Sequence, residues 1–469
     1  MRQPLPLPTG LAGVEASPYQ QEVVRNCIYS NGKLKGRPVV DNYLNFGESA
    51  CRGLGLIREI ETGDELLYGV WGNTLKRITI VNPQFGKRLN AGDVLVEDVY
   101  DQIAGQAQVQ IVGDFSRACV MVVGGSAYIY EVGTKSVSEI TDSSSTGYLP
   151  SVSVAVDDGR FVFAPEDGSP FFFSKLQDPA DIEARFFDAE TRPDPNKGLY
   201  VRRGLLYGLG TRSIEALDYN PTANIYRRIS QNTDKVGYVT CLTQYGDSFA
   251  YLGQGDNGGY GFYIHNTQAE RISNEAVDEI LNKNYYEREL RDLEATYFVW
   301  EGTPVAVFLL PRHTLVYYGG WAVWQTGTTG QELKTWRVND VQYAYGYYWT
   351  GDSVDGSVGN LVYNNLEFGE PVESLIETYA NFGANTNNIV NNIYLDVTTG
   401  TAPDTRLSMS VSNENKFFGE EDWRDLGAEG DYTKSIRLGP PVGRFPRFMG
   451  LRIQWYGSVS INVDGVEFD

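Results

Sequence analysis

LLYGVWGNTLKRITIV (Leu66–Val81) reads as two short strands folded back on each other. Apolar and aromatic side chains fill both arms, and Gly72-Asn73 sits between them. Gly and Asn tolerate the positive φ that a tight hairpin turn demands, so this dipeptide between two apolar runs is a hairpin signal. The design returns six more times. ACVMVVGGSAYIYEV turns at Gly124-Gly125, RFVFAPEDGSPFFFS at Asp167-Gly168, and LLYGLGTRSIEALDY near Gly210. SFAYLGQGDNGGYGFYI turns near Asp256-Asn257-Gly258, VAVFLLPRHTLVYY at Pro311-Arg312, and YAYGYYWTGDSVDGSVGNLVY around Asp355-Gly356.

The turns recur roughly every 43 to 56 residues, the period of a β-propeller with one such hairpin in each unit. A lone unit cannot bury both faces of its sheet, whereas a ring of units buries them and hides most strand edges. A second short element follows several hairpins and suits an outer blade strand: Ser138–Thr141, Arg227–Ser230, Arg271–Ser273 and Trp324–Thr326. One helix is predicted, in SNEAVDEILNKN, with Ser273 as its cap and Val277, Ile280 and Leu281 on one face. The expected fold is all-β: a propeller of about six or seven blades followed by a C-terminal β-sandwich. The sandwich is read from short alternating strands such as NNIYLDV, LSMSVSN and GLRIQWY, which replace the hairpin texture from about Glu370. The division is an N-terminal arm and first strands over 1–50, the propeller over 51–369, and the sandwich over 370–469.

Composition agrees with an all-β chain: 13% aromatic residues and 51 glycines. With 60 acidic against 39 basic residues the net charge is −21, which excludes a bulk nucleic-acid binder because DNA affinity comes largely from cations that neutralise phosphates. Cys27, Cys51, Cys119 and Cys241 are widely spaced with no CxxC pair and read as free buried thiols in preference to the alternative of one or two disulfides. The Pro-rich start, with Pro4, Pro6 and Pro8, lacks a charged-then-apolar leader and reads as an extended arm, either reaching a neighbouring subunit or ordering only on assembly. No apolar run is long enough to span a bilayer, so no membrane insertion is expected.

Chemistry has little to work with. Of the two histidines, His265 and His313, neither accompanies a nucleophile motif, and a structural role outweighs a general base for both. Gly253–Gly258 fits GxGxxG, but a strand rather than a helix follows, so no helix N-terminus waits for a pyrophosphate. Asp157-Asp158, Glu420-Glu421-Asp422 and the pair Asp352 and Asp355 could serve a glycosidase, and the last a calcium ion; a solvated turn explains each without further assumption. No catalytic, cofactor-binding or metal residue is assigned. Arg437, Arg444, Arg447 and Arg452 form a basic stretch in an acidic chain and read equally as an interface or as an ordinary solvated face.

The order of motifs over residues 200–320 resembles that of the tail hub, or packaged-DNA stabilisation, proteins of short-tailed bacteriophages, also described as head-to-tail nozzle proteins. The matching positions are Gly210, Ser213, Ile214, Glu215 and Leu217; then Gly237 and Gly258–Tyr263; then Arg271–Leu281 and Leu310–Tyr317. Asn413-Glu414-Asn415 before Trp423, and the run from Gly430 to Trp455, resemble the family's sandwich. The resemblance implies a non-enzymatic virion protein of the tail, made in the bacterial cytoplasm. It implies a homo-oligomeric ring of about six copies below the head-to-tail connector or adaptor. Such a ring extends the DNA channel, retains packaged DNA, and anchors tail spikes or fibres and a plug or needle, while DNA passes without sequence-specific binding. An acidic channel would let DNA slide. The rival reading is a glycan-binding or glycan-hydrolysing propeller.

Overall fold

The computed structural model describes residues 2–12, 22–47, 49–59, 63–81, 88–114, 116–140, 147–176, 178–183, 194–255, 258–326, 334–383, 388–399, 405–413, 417–426, 434–438, 442–457 and 459–469. Thr141, Asp256, Asn257, Glu414 and Asn415, which belong to motifs quoted above, lie outside the described residues.

Seven antiparallel blades surround one axis. Their inner strands, in blade order, are Cys51–Arg58, Val109–Asp114, Ser151–Asp157, Asn196–Arg202, Gly237–Tyr245, Glu294–Trp300 and Val338–Ala344. Each packs against the next, and the seventh packs against the first. The seven hairpins of the sequence are the second and third strands of successive blades, as in Glu65–Trp71 with Thr74–Ile80. The hydroxyl-ended elements fall in or at the end of the outer strands of blades 2, 4, 5 and 6. Four blades join their first two strands through the same two-residue turn with both φ positive: Asp158-Gly159, Arg203-Gly204, Glu301-Gly302 and Tyr345-Gly346. That geometry matches the right-handed twist of the flanking strands.

The seventh blade takes its outer strand from the other end of the chain. Val39–Asn45, in the segment set apart as arm and first strands, pairs antiparallel with Ser357–Val362 and closes the ring. Other strands of that segment serve the sandwich. Cys27–Ser30 and Lys33–Gly36 join Val459–Phe468, Ile393–Thr399 and Lys434–Leu438 in one sheet. Val23–Arg25 lies between the outer strand of blade 6 and Glu373–Asn381, so the blade 6 sheet runs without a break through Phe448–Tyr456 and Arg406–Ser412 to Asp422–Asp425. The two sandwich sheets face each other through Ile393, Leu395, Ile461, Leu407, Leu451 and Trp455. This core is continuous with that of blades 6 and 7 through Phe298, Trp324, Trp336 and Val341.

The Pro-rich start is extended, but it is held by its own chain. Gln3–Pro4 pairs with Val459–Phe468, and Leu5 and Leu7 are buried there. Farther on, the Leu11 N–H donates to the Trp321 carbonyl at 2.7 Å, on the outer strand of blade 6. The predicted helix, Glu275–Asn284, buries Val277 and Leu281 between blades 5 and 6. Its cap is Asn274, whose Oδ1 accepts from the Val277 N–H at 3.0 Å, and not Ser273. Ser273 is occupied elsewhere: its Oγ accepts from the Phe262 N–H at 3.2 Å.

Candidate functional site

Polar side chains on the inner strands stitch each blade to the next. Arg52 of blade 1 donates to the Ala107 carbonyl at 2.7 Å, ahead of blade 2. The Gln110 carbonyl oxygen accepts from the Val154 N–H at 3.0 Å, and Ser153 Oγ from the Leu199 N–H at 3.2 Å. Thr240 Oγ1 accepts from the Leu293 N–H at 2.8 Å and donates to its carbonyl at 3.0 Å. Thr296 Oγ1 accepts from the Val341 N–H at 3.0 Å, and Asp340 Oδ2 from the Leu54 N–H at 3.1 Å, which joins blade 7 to blade 1. The seam between blades 4 and 5 depends on close approach instead. A Cβ on Gly237 would sit 1.8 Å from the Thr211 carbonyl of blade 4; within blade 4 itself, one on Gly210 would sit 2.4 Å from the Asp194 carboxylate. That carboxylate accepts from the Arg212 and Ser213 N–H groups at 2.5 and 3.1 Å, which is why the motif from Gly210 through Ser213 has its form. Burial and the neighbouring Asp340 push the Glu294 carboxyl up to about 8, and burial raises Asp340 against its hydrogen bonds.

Where the inner strands of blades 2 to 6 begin, they border a cavity of about 720 Å³. Gln108, Gln110, Lys197, Thr240, Glu287 and Arg291 are among its lining residues, so both charge signs face it.

A second polar cluster holds propeller and sandwich together. Arg37 and Glu367 are both 0% exposed at their side chains. The guanidinium donates to Glu367 Oε1 at 2.9 Å and Oε2 at 2.6 Å, to the Pro38 and Gln325 carbonyls at 3.0 and 2.6 Å, and to Asn26 Oδ1 at 3.1 Å. Glu367 Oε1 also accepts from the Val40 N–H and from Trp336 Nε1, each at 3.0 Å. Asn26 Nδ2 reaches the Glu373 carbonyl at 2.8 Å. The network therefore ties the N-terminal strands, blade 6 and the linker to the first sandwich strand. A buried ion pair is tolerable only with its hydrogen bonds made, and here they are.

The histidines and carboxylate pairs do not converge. His265 is buried and stacks on Phe249 at 4.8 Å. His313 Nδ1 lies 2.6 Å from the Tyr285 hydroxyl, and burial and the adjacent Arg312 lower its pKa. Gln254 and Tyr260 pair across the Gly253–Gly258 turn as hairpin partners. Asp158 belongs to a turn between strands of blade 3, and Asp422 pairs with Arg424 at 2.5 Å on the sandwich edge. Asp352 and Asp355 share an internal cation: Arg337 bonds both, at 3.1 Å to Asp352 Oδ1 and 3.2 Å to Asp355 Oδ2. That guanidinium stands where the alternative of a calcium ion, weighed against a solvated turn, would have put the metal. The four cysteines are buried and free, and burial pushes the Cys27 thiol up to about 12.

The basic stretch divides between faces. Arg437 follows the core residue Ile436 and points outward from one sandwich sheet; its Nε donates to Asn392 Oδ1 at 2.7 Å. Arg452 stands between the core residues Leu451 and Ile453, points outward from the other sheet, and pairs with Glu377 at 2.7 Å. Arg444 lies on a separate two-stranded ribbon, Asn388–Val390 with Gly443–Phe445, and is exposed; Arg447, just beyond, is exposed as well. Asn26, Arg37, Glu367, Asp340 and Glu294 were not singled out in the sequence. The X-Gly dipeptides of the blade turns are a local sequence signal for those turns.

The sequence matches the family model described as bacteriophage P22 Gp10, beta-propeller, over residues 70–365, and the one described as bacteriophage P22 Gp10, beta-sandwich, over 376–469. No curated protein matches the chain. Among solved structures, it is similar to the extracellular domain of B. thetaiotaomicron BT4673, described as a one component system, at 11% identity and a TM-score of 0.42. That match covers 68% of this chain and 40% of the other, so the chain spans about two fifths of that relative's length. The N-terminal domain of Nup159 matches at 8% identity and a TM-score of 0.41, over 69% of this chain and 97% of the other. Two family models that follow one another in the order of the observed domains leave one assignment: the chain belongs to the bacteriophage P22 Gp10 family, the tail hub or nozzle proteins of short-tailed phages, and is a structural protein of a phage tail.

Proposed function

We propose that the chain acts as a load-bearing ring subunit directly below the head-to-tail connector. In that place it lengthens the DNA channel, keeps packaged DNA from leaking, and offers attachment points for spikes or fibres and for a plug. One observation carries this reading beyond the family assignment: propeller and sandwich are a single mechanical body, joined by an unbroken sheet and the fully bonded Arg37–Glu367 pair. A subunit under the thrust of packed DNA needs its two domains to move together. The net charge of −21 supports a channel along which DNA slides rather than adheres.

The test is the number of copies in purified particles, by quantitative mass spectrometry against the capsid protein. About six copies per particle is the expected result for one closed ring. Absence from the particle overturns the reading and returns attention to a glycan-active propeller, for which the isolated chain would be screened against polysaccharides.

A further inference from the structure

The ribbon at the sandwich edge has one face inside and one outside. Val390 and Phe445 are buried in the core, while the cross-strand pair Ile389 and Arg444 faces water, with Ile389 55% exposed. Phe417, 82% exposed, lines a groove of about 420 Å³ together with Val442 and Arg444. Among the described residues neither Arg444 nor Arg447 has a carboxylate partner. Exposed aromatic and Arg side chains set in a groove are the composition of a binding hot spot.

The charge pattern says what covers it. From Tyr432 to Val463 the sequence has no carboxylate and five cations, Lys434, Arg437, Arg444, Arg447 and Arg452. Of these, Arg444 and Arg447 lie at this surface, and taking their two charges from the net −21 leaves −23 on the rest of the chain. Two copies therefore repel on average, and attraction arises when this ribbon of one copy meets a carboxylate-bearing surface of the next. We infer that the Ile389, Phe417, Arg444 and Arg447 surface is the donor half of a head-to-tail contact between copies of this chain. Unlike patches meeting in sequence generate rings or helices rather than two-fold dimers. The inference rests on the ring reading above and adds its contact surface and polarity.

The test uses full-length chain assembled into particles. A photo-crosslinking phenylalanine analogue replaces Phe417, and isotopically heavy and light copies are mixed. Irradiation is expected to give heavy–light crosslinks to a second copy of this chain, at sites outside its ribbon. The substitutions Arg444→Glu and Arg447→Glu together should lower their yield at least tenfold while the melting temperature of the free chain stays unchanged. Crosslinks only to a different protein, or none from chain incorporated at its normal copy number, overturn the surface and leave the tail role standing. Chain absent from the particles overturns both.

Discussion

Two arginine–aromatic clusters in this molecule use the same side chains to different ends. At the junction, Arg37 lies beside Trp324 and Trp336, 5.8 and 5.3 Å from their ring centres, with its charge answered by Glu367. On the ribbon, Arg444 lies beside Phe417 and Ile389 with both apolar groups facing water. The first is complete within one chain. Among the described residues, the second has the ingredients without the carboxylate and without the cover. The difference lies in satisfaction: a closed hydrogen-bond inventory marks a structural joint, and an open one with exposed apolar neighbours marks a contact still to be made.

The largest effect is expected at the junction. Glu367→Gln leaves the Arg37 charge buried and uncompensated, which should cost about 3–5 kcal/mol in urea unfolding. Replacing both partners by Met and Leu should cost less than the two single changes summed. Equal small losses at both clusters would show that the junction is no joint.

Next comes the axis, where linkage gives a pH signature. Glu294, pushed up to about 8, keeps its proton in the folded chain at pH values where the unfolded chain has lost it. Its contribution to stability is full below the ordinary carboxyl range and declines as pH rises through about 8. Glu294→Gln should leave stability at pH 4 unchanged and raise it at pH 9 by on the order of 1–3 kcal/mol, discounted for partial exposure. Parallel stability–pH curves for the two proteins would refute this.

A smaller effect is expected at the blade 5–6 seam. Thr240→Val leaves the Leu293 peptide without both of its Thr240 bonds and should cost about 1–2 kcal/mol, read as a shift in the urea midpoint. The smallest belongs to the ribbon: Arg444→Ala should change the stability of the isolated chain by no more than about 0.5 kcal/mol. A loss comparable to that at Glu367 would mean that the ribbon arginine is structural after all.

The blades were legible because each hairpin is local. LLYGVWGNTLKRITIV holds both strands and their turn within one window, and its pattern needs no distant residue to be read. Ring closure by Val39–Asn45 was not legible, since its partner Ser357–Val362 lies at the far end of the propeller and a strand's sequence does not name its neighbour. The helix is legible in the sequence, but Ser273 and Asn274 are both good caps, and only the Ser273 bond to Phe262 decides between them. The four arginines were visible as a stretch. What sends Arg437 and Arg452 outward from opposite sheets is the pleat together with the assignment of their strands to different sheets, which is tertiary information. Phe417 carried no signal of its own, because an aromatic residue in a β-rich chain is ordinarily core.

The closing strand also sets a clock for synthesis. Val39 pairs with Val362, so it leaves the ribosome roughly 320 residues before its partner exists. At about 5–20 residues per second, that is a wait on the order of 15–65 s. Throughout it, blades 1 to 6 can form while the ring stays open and the edge that will receive Val39–Asn45 has not been made. A chain halted before Ser357 cannot close and should be digested by protease far faster than the finished chain, so the late partner acts as a check on completeness before any copy joins a tail.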